Sequence, residues 1–314
     1  MKFNAYFSKH LAVLAAPICA SSVLITTPSL AATFSTSDTS VNIFNFNQSA
    51  SSSSVVIDAN VLLVTPDSSL FDSDNGESTN VFVGNNTGIV TSEFDALFLT
   101  GFPSFANNSI VNQAFGEGSD YSGSAETEST VIGNFFLDGS SNSPTTFAFD
   151  FLVSSNLGTS IDNPDGESAT SASDVSFSLV NTDTQEVIDF FSISSSLTTT
   201  GADLLPSVDS SDNFGIDLFS LNDADVGLSL TDESISFELF GLYEREFAGP
   251  INLTLIETKH NTAIVKTKSA KVPEASSIVS LLLFASIASS GLYKKNNRLL
   301  SEVREQVTGK NNNN

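Results

Sequence analysis

Carboxylates are nearly the only side chains in this sequence that could do chemistry. The 314 residues include 36 Asp and Glu but only two His and one Cys. One Cys rules out an internal disulfide and a Cys-rich zinc site. A Ser-His-Asp triad would have to use His260, because His10 lies in the N-terminal segment, and no Gly-x-Ser-x-Gly motif presents a serine nucleophile. We therefore predict no catalytic residue of these types and place His260 in a turn between two late strands.

Two acidic segments have the oxygen-rich composition that calcium prefers, because calcium takes about six to eight oxygen ligands. Their candidate ligands are Asp72, Asp74 and Glu77 in the first segment and Asp162, Asp165 and Glu167 in the second. Neither segment has the EF-hand spacing, and ordinary polar turns are the alternative interpretation. Calcium is the one cofactor that the sequence suggests.

A carboxylate-dependent glycan hydrolase is a less favoured hypothesis. Such an enzyme needs two carboxyl groups at a set separation, and residues 32–271 hold 33 acidic candidates, so no pair is singled out. The same residues include only Tyr121 and Tyr243 and no Trp. They are therefore poor in the amphipathic rings suited to a sugar site. This composition favours a protein without enzymatic activity.

The net charge of -24 argues against nucleic acid as a partner. Neutralising phosphates needs clustered Lys and Arg, and neither occurs between Lys9 and Arg245. We interpret the acidity as a property that keeps an exported protein soluble. Adaptation to salty water and diffuse binding of divalent cations are the alternatives.

Residues 32–271 have the alternating pattern of β-strands. A period of two places one face of a strand in a core and the other in water. Strict alternation occurs at 147–151, 175–179, 214–218, 235–239 and 253–255, and less regular strand-like runs at 41–46, 55–64, 80–83 and 94–99. No sustained helical period interrupts them. We predict an all-β body, an antiparallel β-sandwich or jelly roll.

A polar stretch at 116–130 is predicted to interrupt the strands. It is interpreted either as a linker between two lobes or as a long loop on one body. About 240 residues can form a single all-β domain, so one domain over 32–271 is favoured and two lobes divided near 116–130 are the alternative.

The first 31 residues have the parts of a secretory signal peptide. Lys2 and Lys9 give a positive start, an apolar stretch occupies 11–25, and small residues precede the predicted cleavage point. We predict cleavage by signal peptidase after Ala31, with Ala32 as the second choice. An uncleaved N-terminal anchor is the alternative.

The C-terminal segment, 272–314, has three parts in a fixed order. They are Val272-Pro273-Glu274, an uncharged apolar run at 275–293, and a basic cluster of Lys294, Lys295 and Arg298. A helix over the apolar run would span about 28 Å, close to the roughly 30 Å of a bilayer core. Positive charge beyond it marks the cytoplasmic side, so the body would lie outside the cytoplasm.

This order resembles the PEP-CTERM sorting signal of exported bacterial proteins. Val272, Pro273 and Glu274 match the motif, whereas Ala275 stands where that family has a second Pro. The basic cluster is matched by Lys294, Lys295 and Arg298. The resemblance implies processing near the motif by an exosortase-type membrane protease, in a double-membraned bacterium that often makes extracellular polysaccharide. The Ser-, Thr-, Asn-, Asp- and Phe-rich composition of the body is similar to that of cyanobacterial PEP-CTERM proteins. For the C-terminal segment, an ordinary membrane anchor is the alternative interpretation.

Together these features favour an exported, non-enzymatic protein of the cell envelope or extracellular matrix. It would first be anchored in the inner membrane and then be released or transferred. Extracellular polysaccharide is a partner implied by the resemblance alone. A calcium-dependent carbohydrate-binding module is the first alternative, and the glycan hydrolase is the second.

Overall fold

The structure is a computed structural model that describes residues 32–65, 67–76, 78–85, 88–117, 120–140, 142–164, 166–225 and 231–267. Within these ranges the regular elements are β-strands, and there is no helix. The strands are β1 (Ala32–Phe44), β2 (Ser52–Thr65), β3 (Ser68–Asp74), β4 (Ser78–Asn85), β5 (Gly88–Leu99), β6 (Phe105–Glu117), β7 (Ser122–Leu137), β8 (Thr145–Ser160), β9 (Glu167–Asn181), β10 (Glu186–Thr198), β11 (Leu204–Ser210), β12 (Phe214–Asp225), β13 (Asp232–Phe247) and β14 (Ile251–Thr267).

The strands form two seven-stranded sheets in which neighbours are antiparallel. Sheet A has the order β12-β13-β8-β1-β6-β5-β4, and sheet B has the order β11-β10-β9-β14-β7-β2-β3. Buried apolar residues from both sheets form one core cluster. The prediction of an all-β body is confirmed, and the arrangement is consistent with a β-sandwich.

The polar stretch at 116–130 is mostly strand, so its interpretation as a linker or a loop is wrong. β7 lies between β14 and β2 in sheet B and is paired along its length with both. Its inward residues here are Ala125, Thr127 and Ser129, all buried, while Glu126 and Glu128 point to solvent. Buried and exposed residues do alternate along β7. Because the buried ones here are small or polar, a hydrophobicity pattern does not reveal this alternation.

Half of the interior is packed with aromatic rings. The predicted inward residues Phe147, Phe149 and Phe151 of β8 are at most 1% exposed. Their rings join a continuous cluster with Phe46, Phe98, Phe135, Phe177, Phe191, Phe214 and Tyr243. Neighbouring centroids lie 4.7 Å apart for Phe135–Phe147 and 5.0 Å apart for Phe151–Phe191, within the usual range for aromatic pairs. Burial of these rings supplies much of the hydrophobic driving force.

The alternation predicted at 214–218, in β12, does not place all of its apolar side chains in the core. Phe214 at the start of β12 is 5% exposed, but Ile216 and Leu218 are 42% and 58% exposed. β12 is an edge strand, and its register with β13 shifts between Ile216 and Leu218. Ile216 precedes the shift, and neither face of β12 is buried from Ile216 to Asp225, so the prediction that all three residues are buried is wrong.

Two glycines test how tightly the aromatic half is packed. A Cβ on Gly241 would clash with the ring of Phe151 and lie 2.8 Å from the carbonyl oxygen of Gly215, whereas a Cβ on Gly215 would meet only Leu242, at 3.6 Å or more. We expect Gly241→Ala to lower the free energy of unfolding by about 1–3 kcal/mol. Gly215→Ala should leave it unchanged or raise it by up to about 1 kcal/mol. Urea unfolding measures both, and equal losses would contradict the packing described.

Candidate functional site

The other half of the interior is lined by small polar side chains, none more than 3% exposed. They are Thr33, Ser35, Ser37 and Thr39 of β1, Asn108 and Asn112 of β6, Thr127 and Ser129 of β7, Ser155 and Thr159 of β8, and Ser171 and Ser173 of β9. We call this region the polar half. Buried polar groups are costly unless they are hydrogen-bonded, so their partners decide how the two sheets meet.

Hydroxyl groups of β1 cross the gap between the sheets. Ser35 Oγ donates to the carbonyl oxygen of Thr170 at 2.5 Å, and Ser37 Oγ donates to that of Ala172 at 2.7 Å. The hydroxyls of Thr39 and Ser173 are 2.7 Å apart. A serine side chain thus spans the whole gap, so the sheets lie closer here than the roughly 10 Å typical of facing sheets.

Three longer polar residues of β14 enter the polar half on its inner face. Glu257, Lys259 and Asn261 are at most 1% exposed. Lys259 Nζ donates to the carbonyl oxygen of Thr39 at 2.9 Å and to that of Asn108 at 2.6 Å. Asn108 Nδ2 donates to Glu257 Oε2 at 2.6 Å. Asn108 therefore contacts Lys259 through its main chain and Glu257 through its side chain.

Burial shifts the acid and the amine in opposite directions. Desolvation raises the pKa of Glu257 to about 7, with Lys259 and Asn108 opposing the change. Desolvation lowers the pKa of Lys259 to about 7, against the attraction of Glu257 and Asp38. The uncharged forms of both groups are therefore accessible near neutral pH. An amine, a carboxyl group and a carboxamide thus lie together in a site closed to solvent.

Sequence reasoning missed this cluster, although one signal was available. Leu253 and Leu255 precede it and Ala263 and Val265 follow it on the same face of β14, and all four are buried. Strand parity therefore places 257, 259 and 261 in the interior. The polar character of these residues obscured that parity.

Asp189 of β10 organises a second buried group that the sequence did not reveal. Its carboxylate accepts hydrogen bonds from Tyr243 at 2.8 Å, from Arg245 at 2.8 Å and from Asn213 at 3.0 Å. Burial would raise the pKa of Asp189, but the bonds from Arg245, Asn213 and Tyr243 outweigh it, and the pKa lies below its usual value. The group joins β10 to β13 beside the aromatic cluster.

His260 lies within β14, so the prediction of a turn is wrong. It pairs with Glu128 of β7 and Asp174 of β9 across the sheet, on the outer face. Its Nε2 is 3.1 Å from Glu126 Oε1, and its Nδ1 is 3.9 Å from Asp174 Oδ2. Interaction with Asp174 and then with Glu126 raises the pKa of His260 above its usual value. This is an exposed charge cluster that spans three strands.

The predicted calcium ligands are divided between strand and turn. Asp72 is exposed on the edge strand β3, where its Oδ1 accepts the amide of Ser73 at 2.9 Å, and Asp74 ends that strand. In the second segment, Glu167 is 5% exposed, and its Oε2 accepts the amides of Asp162 at 2.8 Å and Asn163 at 2.9 Å. Glu77 and Asp165 lie outside the described residues.

The predicted terminal signals also lie outside the described residues. This applies to Ala31, to the motif Val272-Pro273-Glu274, to the run 275–293 and to Lys294, Lys295 and Arg298, whereas Ala32 begins β1. Within the described ranges, no helix has the length and hydropathy needed to cross a membrane. The same residues contain no group of three or more His, Cys, Asp and Glu side chains arranged to hold a metal ion.

No protein-family model matches this chain, and no curated protein matches it significantly in sequence.

The His260 cluster predicts a measurable titration. The pKa of His260, followed by NMR, should lie above the ordinary value of about 6.5, and it should fall in Asp174→Asn and in Glu126→Gln. Because the folded-state pKa is raised, the cluster stabilises the fold below pH of about 6.5, and this contribution is lost as pH rises through the folded pKa. Asp217→Asn, on β12 in the other sheet, is the control. An unchanged His260 pKa in both test variants would contradict the contacts.

Proposed function

We propose that this chain is an exported, non-enzymatic β-sandwich protein of the cell envelope or extracellular matrix, delivered by an exosortase-type system. The observation that carries the proposal is the three-part order of residues 272–314 behind a signal-like segment at 1–31. The body lies between these two segments. An extracellular polysaccharide is the partner that the PEP-CTERM resemblance suggests.

The architecture of the body supports a structural role. The polar half uses its hydroxyl and amide groups to bind one sheet to the other, as in the bonds from Ser35 and Ser37 to β9. The aromatic half packs both sheets around one continuous ring cluster. These polar interactions of the interior thus hold the two sheets of the body together.

The edges of the sheets support a role in assembly. Phe71 on β3, Phe82 on β4 and Leu218 on β12 are each more than half exposed. All three strands lie at the edge of a sheet, where main-chain groups are open to pairing. Apolar side chains beside unpaired strand edges suit contacts within a surface layer or matrix.

The mass and the C-terminal peptide of the protein recovered from its native host test the proposal. We expect a chain that begins near Ala32 and ends near 272–275, because a sorting protease would remove the apolar run and the basic cluster. A chain that retains its C-terminus in the membrane fraction would identify a plain anchor. The sorting hypothesis and the polysaccharide link would then both be wrong.

A calcium-dependent carbohydrate-binding module is the second candidate, and the exposed carboxylates of Asp72 and Asp162 favour it. It predicts that calcium at a few times its Kd, roughly 1 mM or above, raises the melting temperature by about 2–5 °C. The rise should disappear in Asp72→Ala or in Asp162→Ala and persist in Asp217→Ala, a control on the exposed edge strand β12. The absence of any shift in the parent protein would exclude this candidate.

A further inference from the structure

Lys259, Asn108 and Glu257 are arranged differently from a buried ion pair. The ion pairs within 4.0 Å that join described residues are those of Arg245 with Asp189 and of His260 with Glu126 and Asp174. The Lys259 amine instead bonds two main-chain carbonyl oxygens, and one of these belongs to Asn108. The carboxyl group of Glu257 bonds the side-chain amide of the same asparagine. Asn108 thus stands between the amine and the acid.

The interior also leaves two oxygens of this cluster without a hydrogen-bond partner. They are Asn108 Oδ1 and Glu257 Oε1, both inaccessible to solvent. An unsatisfied buried acceptor typically costs about 1–3 kcal/mol. A half-turn of the Asn108 amide exchanges Oδ1 and Nδ2, and Oδ1 then accepts the proton of neutral Glu257. That arrangement polarises the side-chain carbonyl of Asn108.

We infer that Lys259 and Asn108 join in an intramolecular isopeptide bond, with Glu257 as the acid–base catalyst. The lone pair of the neutral Lys259 amine attacks Asn108 Cγ while the Glu257 carboxyl group gives its proton to Oδ1. The tetrahedral centre then collapses, and the Cγ–Nδ2 bond breaks. Glu257 takes a proton from Nζ and passes it to Nδ2, so Nδ2 leaves as ammonia. The proton on Oδ1 returns to Glu257 as the new amide carbonyl forms. One amine and one carboxamide thus become a secondary amide and ammonia, with no oxidant or other co-reactant.

The environment supplies what this reaction needs. An amine must be uncharged to act as a nucleophile, and burial lowers the pKa of Lys259 to about 7. A carboxyl group must hold its proton to act as an acid, and burial raises the pKa of Glu257 to about 7. The two bonds to Thr39 and Asn108 hold Nζ against the main chain of the same asparagine whose side chain contacts Glu257, so the three groups lie close together.

The product would connect the two sheets covalently. Asn108 lies on β6 of sheet A and Lys259 on β14 of sheet B, 151 positions apart in the chain. A cross-link that closes so long a loop restricts the unfolded chain strongly, as a disulfide does. Residues 32–271 contain no cysteine, so this bond would take the place of a disulfide. The reaction needs no partner and does not depend on the function proposed above.

Peptide mapping of the full-length protein tests the bond. Cleavage after Glu and after Lys or Arg should yield one branched peptide of residues 94–117 and 258–266, lighter than the two separate peptides by one ammonia. Fragmentation should place the branch at Asn108 and Lys259. Separate peptides, with normal cleavage after Lys259, would overturn the inference. This result comes from the parent protein and requires no variant to fold.

Three variants test the roles of the residues. Glu257→Gln keeps both partners but removes the acid, so the branched peptide should be lost. Glu128→Gln makes the same change on the outer face of β7 and should keep the branched peptide. Asn108→Asp should link with loss of one water instead of one ammonia. A branched peptide of full yield in Glu257→Gln would overturn the assignment of Glu257 as catalyst.

Discussion

Burial of the Lys259 amine between two sheets is the constraint on which the polar half depends. Removing an ammonium group from water costs several kcal/mol even after the protein relaxes. The amine reaches carbonyl oxygens of β1 and β6 only because the facing residues are small. Serines and threonines at those positions leave the gap narrow, and their hydroxyls then bond the main chain of the opposite sheet. One long amine side chain thus sets the chemistry of its neighbours.

The aromatic half and the polar half of the interior stabilise the fold by different interactions. The aromatic half supplies non-directional hydrophobic burial, which tolerates small displacements of one sheet over the other. The polar half supplies directional bonds, which do not. A one-residue slip of β14 would bring Glu257 and Lys259 to the solvent and turn His260 inward. The polar half therefore specifies the register that the aromatic half stabilises.

The sequence predicts the structure where large apolar and polar residues alternate. Phe147, Phe149 and Phe151 are an example, since each inward position carries a ring. Prediction failed in β7 and around His260 in β14. Both faces of these strand segments are polar there, so apolar residues do not alternate with polar ones along the sequence. It also failed in β12, an edge strand in which neither face is buried after Phe214.

The contacts in the polar half could not be predicted without knowing which strands pair. Neither Lys259 nor Glu257 forms a motif with Asn108 in the sequence, and only the order of strands brings them together. Strand parity could place Lys259 in the interior, but it could not identify Asn108 as the neighbour. The signals at the two ends of the chain remain predictions from sequence, as does the binding of calcium.

The edge strands combine apolar side chains with carboxylates. Asp72 lies beside exposed Phe71 on β3, and Asp217 lies beside exposed Leu218 on β12. Near neutral pH, these charges oppose the joining of one molecule's edge to another's. Salt screens charges at a surface, so added salt weakens this repulsion while the apolar groups stay in place. Such a molecule would remain dispersed in dilute solution and associate, edge on edge, as the salt concentration rises.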